Sequence, residues 1–426
     1  MDTSRFVLYR NLEHQDLFGS MAMLLDGDGP AQMDGYACAN RLLELAAKYG
    51  FEGNLWHCFL AYCLAAHENA YSTACEIVGP VHGTINELAA HDFSMMKELF
   101  DKDTTLLSGG IWGYLSDFHG AERTGKVFNR RIRDRIITLA KELEEADSTE
   151  EFQRLVTGFY KEFGVGRFGL NKAFRIEERD TETGYRNTWI EPITSIEHVY
   201  LDDLVGYEIQ KEKLIANTEA FIEGKEANNV LLYGDAGTGK SSSVKAILNQ
   251  YYDRGLRIIE VYKHQFRCLS DVLEEIKDRN YKFIIYMDDL SFEDFEIEYK
   301  YLKAIIEGGL GKKPSNVLIY ATSNRRHLIR EKFSDKREMM DDLHENDTVQ
   351  EKLSLVSRFG VTIYFGAPDK LEFQNIVKVL AERYDLHIPE EELYAEANKW
   401  ELYHGGFSGR TATQFITHLL GKQSKE

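Results

Sequence analysis

The sequence predicts an α/β fold. It would be a three-layer domain on a five-stranded parallel sheet, with a mostly helical N-terminal domain before it and a C-terminal helical lid after it. Three observations carry this expectation. Five short apolar runs alternate with amphipathic helical stretches from about residue 200 onward, and each run is apolar on both faces, as parallel strands covered by helices on either side require. A glycine-rich loop ending in Lys-Ser joins the first of these runs to a helix. In the first 175 or so positions, apolar residues recur instead at three- and four-residue spacing.

The elements follow in chain order. Helical spacing is clearest in 39–51, 54–78 and 127–146, punctuated by Gly35, Gly53, Gly79-Pro80 and Gly109-Gly110. The segment 173–190 reads as two short strands around a turn from Asp180 to Gly184. The five runs of the sheet are 229–234, 256–262, 282–289, 316–324 and 360–365, and helical spacing returns after Pro368. These patterns predict a helical domain over 1–190 ending in a β-hairpin, a nucleotide-binding domain over 191–366 and a helical lid over 367–426.

Composition narrows the class. The 426 residues suit two or three domains, and 43% hydrophobic with 28% charged residues is globular rather than disordered. With 51 basic and 70 acidic residues the net charge is −19, which disfavours broad binding to nucleic acid or an anionic membrane. No run approaches the roughly 20 apolar residues of a membrane span, and the acidic start carries no signal-peptide pattern. Five cysteines, Cys38, Cys58, Cys63, Cys75 and Cys268, fit free thiols in a reducing cytoplasm.

The strongest motif is Gly234, Asp235, Ala236, Gly237, Thr238, Gly239, Lys240 and Ser241, which fits G-x-x-x-x-G-K-S/T between a strand and the helix that continues through Ser242. Its glycines let backbone N–H groups converge on phosphate oxygens at a helix N-terminus. Lys240 would neutralise the β- and γ-phosphates of ATP, and the Ser241 hydroxyl would ligate Mg²⁺. The run 283–290 carries two acids just before its end, of which Asp288 would hold the Mg²⁺ shell and Asp289 would face the attacking water. Asn324, after the fourth run, would orient that water and sense the γ-phosphate. Arg358, just before the fifth run, would reach a neighbouring subunit's nucleotide as a transition-state charge donor. Arg410, opening the last helix, would reach the phosphates from above.

Together these residues resemble an AAA+ ATPase over about 200–420, and the segment Leu201 to Tyr207, with Gly206, resembles the one such enzymes place over the adenine. More closely, NNVLLYG, DDLSFE, EGGL, NVLIYATSNRRHL and EKLSLVSRFG resemble the bacterial domain-of-unknown-function 815 family of P-loop ATPases. The superfamily usually carries Glu as the second acid of the strand tip. Here it is Asp289, one methylene shorter, so the base is either Asp289 or nearby Glu293.

Other features read more plainly. Cys63 and His67 share a helical face with Cys58 nearby, and with no fourth ligand at suitable spacing they read as core residues. The basic run 123–135 reads as a solvated helix face, and the charged segment 325–352 as a solvated loop or a partner contact. The resulting expectation is a cytoplasmic Mg²⁺-dependent ATPase. It would self-associate through Arg358 and remodel or load an unidentified protein partner. The rivals are a slow or non-hydrolysing ATP-dependent switch and a DNA-replication-type loader.

Overall fold

A computed structural model describes residues 2–27, 34–120, 129–180, 186–194, 196–292, 298–307, 314–325, 328 and 355–423. Contacts divide the chain into two compact units. One comprises Met1–Lys172 with Pro192–Ser195, the other Ala173–Glu191 with Ile196–Glu426.

The first unit is helical. Its described helices are α1 Gln15–Asp26, α2 Gly35–Tyr49, α3 Leu55–Ala66, α4 Ala70–Val78, α5 Thr84–Phe100, α6 Trp112–Ser116, α7 Arg130–Glu144, α8 Thr149–Phe163 and α9 Gly166–Leu170. Asn54, Asn129 and Ser148 cap α3, α7 and α8 by accepting first-turn N–H bonds. Helix α3 is apolar all round (LWHCFLAYCLAA) and is correspondingly buried from Leu55 to Ala65. It contributes to a core that includes Phe18, Phe93, Phe152 and Tyr160. Some polar groups at this core find partners far along the chain. The Asp92 carboxylate accepts from the N–H groups of Val7, Leu8 and Tyr9, and His67 Nε2 bonds to the Leu8 carbonyl at 3.1 Å. Cys58 and Cys63 are buried thiols.

The second unit holds the sheet: β1 Ala173–Asp180, β2 Arg186–Pro192, β3 Val230–Gly234, β4 Leu256–Glu260, β5 Lys282–Met287, β6 Val317–Ser323 and β7 Val361–Phe365. Their order is β2-β1-β4-β5-β6-β3-β7. The sheet therefore has seven strands, not the five expected. The two extra strands are those the sequence placed at the end of the N-terminal domain. Ala173–Arg175 pairs in parallel with Ile258–Glu260 and carries the sheet past β4. Helices α10 Glu208–Ile222, α11 Lys240–Tyr251, α12 Leu269–Ile276 and α13 Glu298–Glu307 intersperse the strands, and α14 Lys370–Arg383, α15 Glu390–His404 and α16 Gly409–Gln423 form a C-terminal group around Phe373, Val377, Ala397 and Phe415. No helix among the described residues is long and apolar enough to cross a membrane.

The parallel pairing positions the site. Tyr233 of β3 aligns with Ser323 of β6, Met287 of β5 with Ala321, and Gly234 with Phe365 of β7. The loops leaving β3, β5 and β6 thus emerge side by side at the carboxyl ends of the strands, where open α/β sheets bind ligands.

Candidate functional site

The glycine-rich loop begins with a position only glycine can fill. Gly234 has φ +136°, and a Cβ there would lie 2.0 Å from the Phe365 carbonyl oxygen. The next residue secures the same junction. Asp235 N donates to Phe365 O at 2.9 Å, and the Asp235 carboxylate accepts from Ala367 N at 2.8 Å. Thr238 Oγ1 donates to Asp235 O at 2.8 Å and tightens the loop. Helix α11 then opens at Lys240 with Gly239 at its N-cap and no side-chain cap, so its first N–H groups face the loop's concavity. The buried Lys240 ammonium donates to the carbonyls of Gly234 at 3.0 Å and Asp235 at 2.6 Å. Burial lowers its pKa; Asp235, Asp289 and Asp288 oppose that shift, and Arg410 adds to it.

Across the loop, β5 delivers its two acids. Asp288 Oδ1 accepts from Ser241 Oγ at 2.7 Å, from Tyr286 OH at 2.7 Å and from Thr322 Oγ1 at 2.5 Å. Burial raises the Asp288 pKa, but these hydroxyl donors outweigh it and hold the carboxyl below its ordinary value. Asp289 adopts a left-handed backbone, φ +50°. Its N–H donates to Thr322 Oγ1 at 2.9 Å, and its Oδ1 accepts from Asn324 Nδ2 at 2.8 Å. The alternative base, Glu293, lies outside the described residues.

These groups line a cleft of about 600 Å³ between the carboxyl ends of the strands and the C-terminal helices. Its apolar lining comes from Leu204 and Val205 together with Ile376 and Leu380 of α14, and Val205 and Leu380 both pack against the C-terminal cluster. Gly206, at φ +80°, sits between the lining residues Val205 and Tyr207, and Tyr207 OH donates to Gly366 O at 2.8 Å. Arg410 lines the cleft from α16, and its N–H donates to Gly237 O at 3.2 Å.

The cleft brings together Ala236, Gly237, Thr238, Gly239, Lys240, Ser241, Ser242, Asp288, Asp289, Asn324 and Arg410. Gly234 and Asp235, the first two residues of the loop, are not part of the lining. Arg358 is elsewhere: it precedes β7, whose other end meets Gly234. The sequence reading missed Tyr286 and Thr322. Alternation along a strand was the available signal, because it puts Tyr286 beside Asp288 and Thr322 beside Asn324 on shared faces. It also missed Glu197, Thr413 and Gln414, which line the cleft.

Residues 171–423, well over half of the chain, match the family described as "Protein of unknown function (DUF815)". The chain belongs to this family. The family's span takes in every strand of the sheet, the glycine-rich loop and the C-terminal helices. Its P-loop, acidic strand tip and following asparagine resemble those of AAA+ ATPases.

Two curated proteins share shorter stretches. The replication factor C large subunit of Staphylothermus marinus is 38% identical over 71 residues, 16% of each chain. The ORC1-type DNA replication protein 14 of Haloarcula marismortui is 37% identical over 79 residues, 18% of each. The chain therefore spans under a fifth of the length of these relatives. Among solved structures, mutants of RuvB from Thermotoga maritima are similar at 18% identity and a TM-score of 0.35, covering 51% of this chain and 63% of theirs.

Proposed function

We propose that the chain binds ATP with Mg²⁺ in this cleft, hydrolyses it to ADP and phosphate, and couples the cycle to remodelling or loading of a protein partner. The observation that carries this reading is the convergence of Lys240, Ser241, Asp288 and the Asp289–Asn324 pair on one wall of the cleft. The donor set suits Mg²⁺: Ser241 spends its hydrogen on the ionised Asp288, which leaves its oxygen lone pairs for a cation. When bound, the ion would neutralise charge on the β- and γ-phosphates.

The chain's own groups supply the rest. Lys240 exchanges loop carbonyls for phosphate oxygens, and the open start of α11 receives the phosphates. Asn324 holds the Asp289 carboxylate toward an attacking water, which Asp289 deprotonates. Arg410 adds positive charge from α16, and Arg358 serves a neighbouring copy's nucleotide. The adenine lies against Leu204, Val205, Ile376 and Leu380. This reading makes the working form a homo-oligomer in the cytoplasm.

A second reading, a slow or non-hydrolysing ATP-dependent switch, draws on one observation: the short Asp289 carboxylate is already committed to Asn324. Phosphate release measured at saturating ATP separates the two. A third reading is a loader at DNA: the names of the two curated relatives speak of replication, and the net charge of −19 weighs against it; salt-dependent DNA binding is its test. The ATP assignment itself is tested with Lys240→Ala. A charge-assisted hydrogen bond is worth about 1.5–3 kcal/mol, so calorimetry should show ATP affinity falling at least roughly tenfold. Unchanged affinity would overturn the assignment.

A further inference from the structure

Three hydroxyl groups meet at a single oxygen of Asp288, and two of them belong to no phosphate-binding motif. Tyr286 stands two residues before Asp288, on the same face of the chain as it leaves β5, with its ring buried. Thr322, also buried, comes from the adjacent β6, where Ala321 aligns with Met287. Its hydroxyl does two things at once. It donates to Asp288 Oδ1 at 2.5 Å and accepts the Asp289 N–H at 2.9 Å, so one side chain ties down both acids and the left-handed turn between them.

Packing alone does not call for these hydroxyls. Phenylalanine fills the space of Tyr286 without bringing a polar group that must find a partner when buried; valine fills that of Thr322 but leaves the Asp289 N–H without its acceptor. Three donors also exhaust the lone pairs of Oδ1. Oδ2 receives none of these three hydroxyls and is the oxygen left to face a cation or its water shell.

We propose that Tyr286 and Thr322 are positioning residues that fix the rotation of the Asp288 carboxylate, and thereby set how strongly the nucleotide site depends on Mg²⁺. The inference rests on the ATP reading above. Mg²⁺ keeps most of its waters and demands near-octahedral geometry. A carboxylate free to rotate would present the wrong oxygen part of the time. Partners that orient a metal-binding group typically contribute about 10–100-fold to metal affinity.

The test is calorimetric titration of ATP into the full-length wild type, Tyr286→Phe, Thr322→Val and Thr322→Ser, first in EDTA and then across a Mg²⁺ series. In EDTA all four should bind ATP alike. With Mg²⁺, the midpoint for Tyr286→Phe and Thr322→Val should rise about tenfold, while Thr322→Ser, which keeps the hydroxyl, should stay near wild type. The two substitutions act on different strands, so a folding failure in one, seen as a lost melting transition, leaves the other to decide. The proposal is overturned if the folded variants keep the wild-type Mg²⁺ midpoint. It is equally overturned if their affinity falls as much in EDTA as with Mg²⁺, which is what a merely structural role would give. If the wild type itself binds no ATP, the nucleotide reading fails and this inference falls with it. Mg²⁺-dependent wild-type binding that the variants reproduce unchanged removes only the inference.

Discussion

Replacing Gly234 by alanine attacks the junction on which the whole loop is built. The added methyl would sit 2.0 Å from the Phe365 carbonyl oxygen and 2.7 Å from its carbon, both backbone atoms of the paired strand β7. Neither can rotate away as a side-chain tip would. A non-glycine residue at φ +136° adds about 1–3 kcal/mol of backbone strain, and forcing the strands apart adds about 1–3 kcal/mol of overpacking. The Asp235–Phe365 hydrogen bond, worth about 0.5–1.5 kcal/mol, is lost in the process. Together these come to about 3–7 kcal/mol. In a unit of this size each kcal/mol lowers Tm by about 2–4 °C, so scanning calorimetry should show the second unit's transition falling by roughly 10–20 °C. Gly224→Ala separates the causes, since Gly224 also has positive φ, +76°, but nothing within 4 Å of a Cβ. It should lose only about 1–2 kcal/mol. Equal losses in the two variants would refute the claim that contact with β7 dominates.

Asp289→Asn should bind ATP normally and release phosphate slowly, because an amide cannot take the water's proton, whereas Asp288→Asn should chiefly raise the Mg²⁺ requirement; normal phosphate release by Asp289→Asn would pass the base role to Glu293. Arg358→Ala should bind ATP yet hydrolyse it poorly: arginine fingers elsewhere are worth about 10³–10⁵-fold, and less is expected here if Asp289 limits the chemistry. Mixing it with Lys240→Ala should restore part of the rate in a concentration-dependent way, and a wild-type rate from Arg358→Ala alone would discard the shared-site idea. The five cysteines are all buried, and burial pushes the Cys58 thiol up to about 12. A thiol reagent at pH 8 should therefore label the native protein slowly and five thiols per chain once urea unfolds it; rapid native labelling would contradict that burial.

What the sequence disclosed depended on how local each signal was. The glycine-rich loop, the two acids and Asn324 were legible because each is a contiguous motif at the end of an apolar run. The strands β1 and β2 were legible as strands but not as members of this sheet. Their alternation is local, while the register joining Ala173 to Ile258 spans most of a hundred residues and leaves no mark in either segment. The same limit hid Thr322. It touches Asp288 only because β5 and β6 are neighbours, and strand order is a property of the fold rather than of either run. Tyr286 was closer to hand, at the strand period from Asp288. Within an apolar run, however, a tyrosine reads first as core, and its hydroxyl shows its use only once a buried acceptor is placed 2.7 Å away.

The separation of Arg358 from the cleft has a geometric consequence. β3 and β7 run side by side from Val230 beside Val361 to Gly234 beside Phe365, so the arginine stands at one end of this pair and the phosphate loop at the other. A group that serves nucleotide from such a place gives each copy a donor end and an acceptor end. Two copies related by a two-fold axis present like surface to like, so a dimer of that kind does not follow from this polarity. If Arg358 does serve a neighbour's nucleotide, the contact is head-to-tail, and it either closes on itself or runs on. An open stack always leaves one arginine with no neighbouring nucleotide and one uncompleted cleft at its ends, so it holds one fewer finished site than it has subunits. A closed ring holds as many finished sites as subunits. The stoichiometry of finished sites, counted by tightly retained nucleotide per chain, would therefore report the topology of the assembly without an image of it.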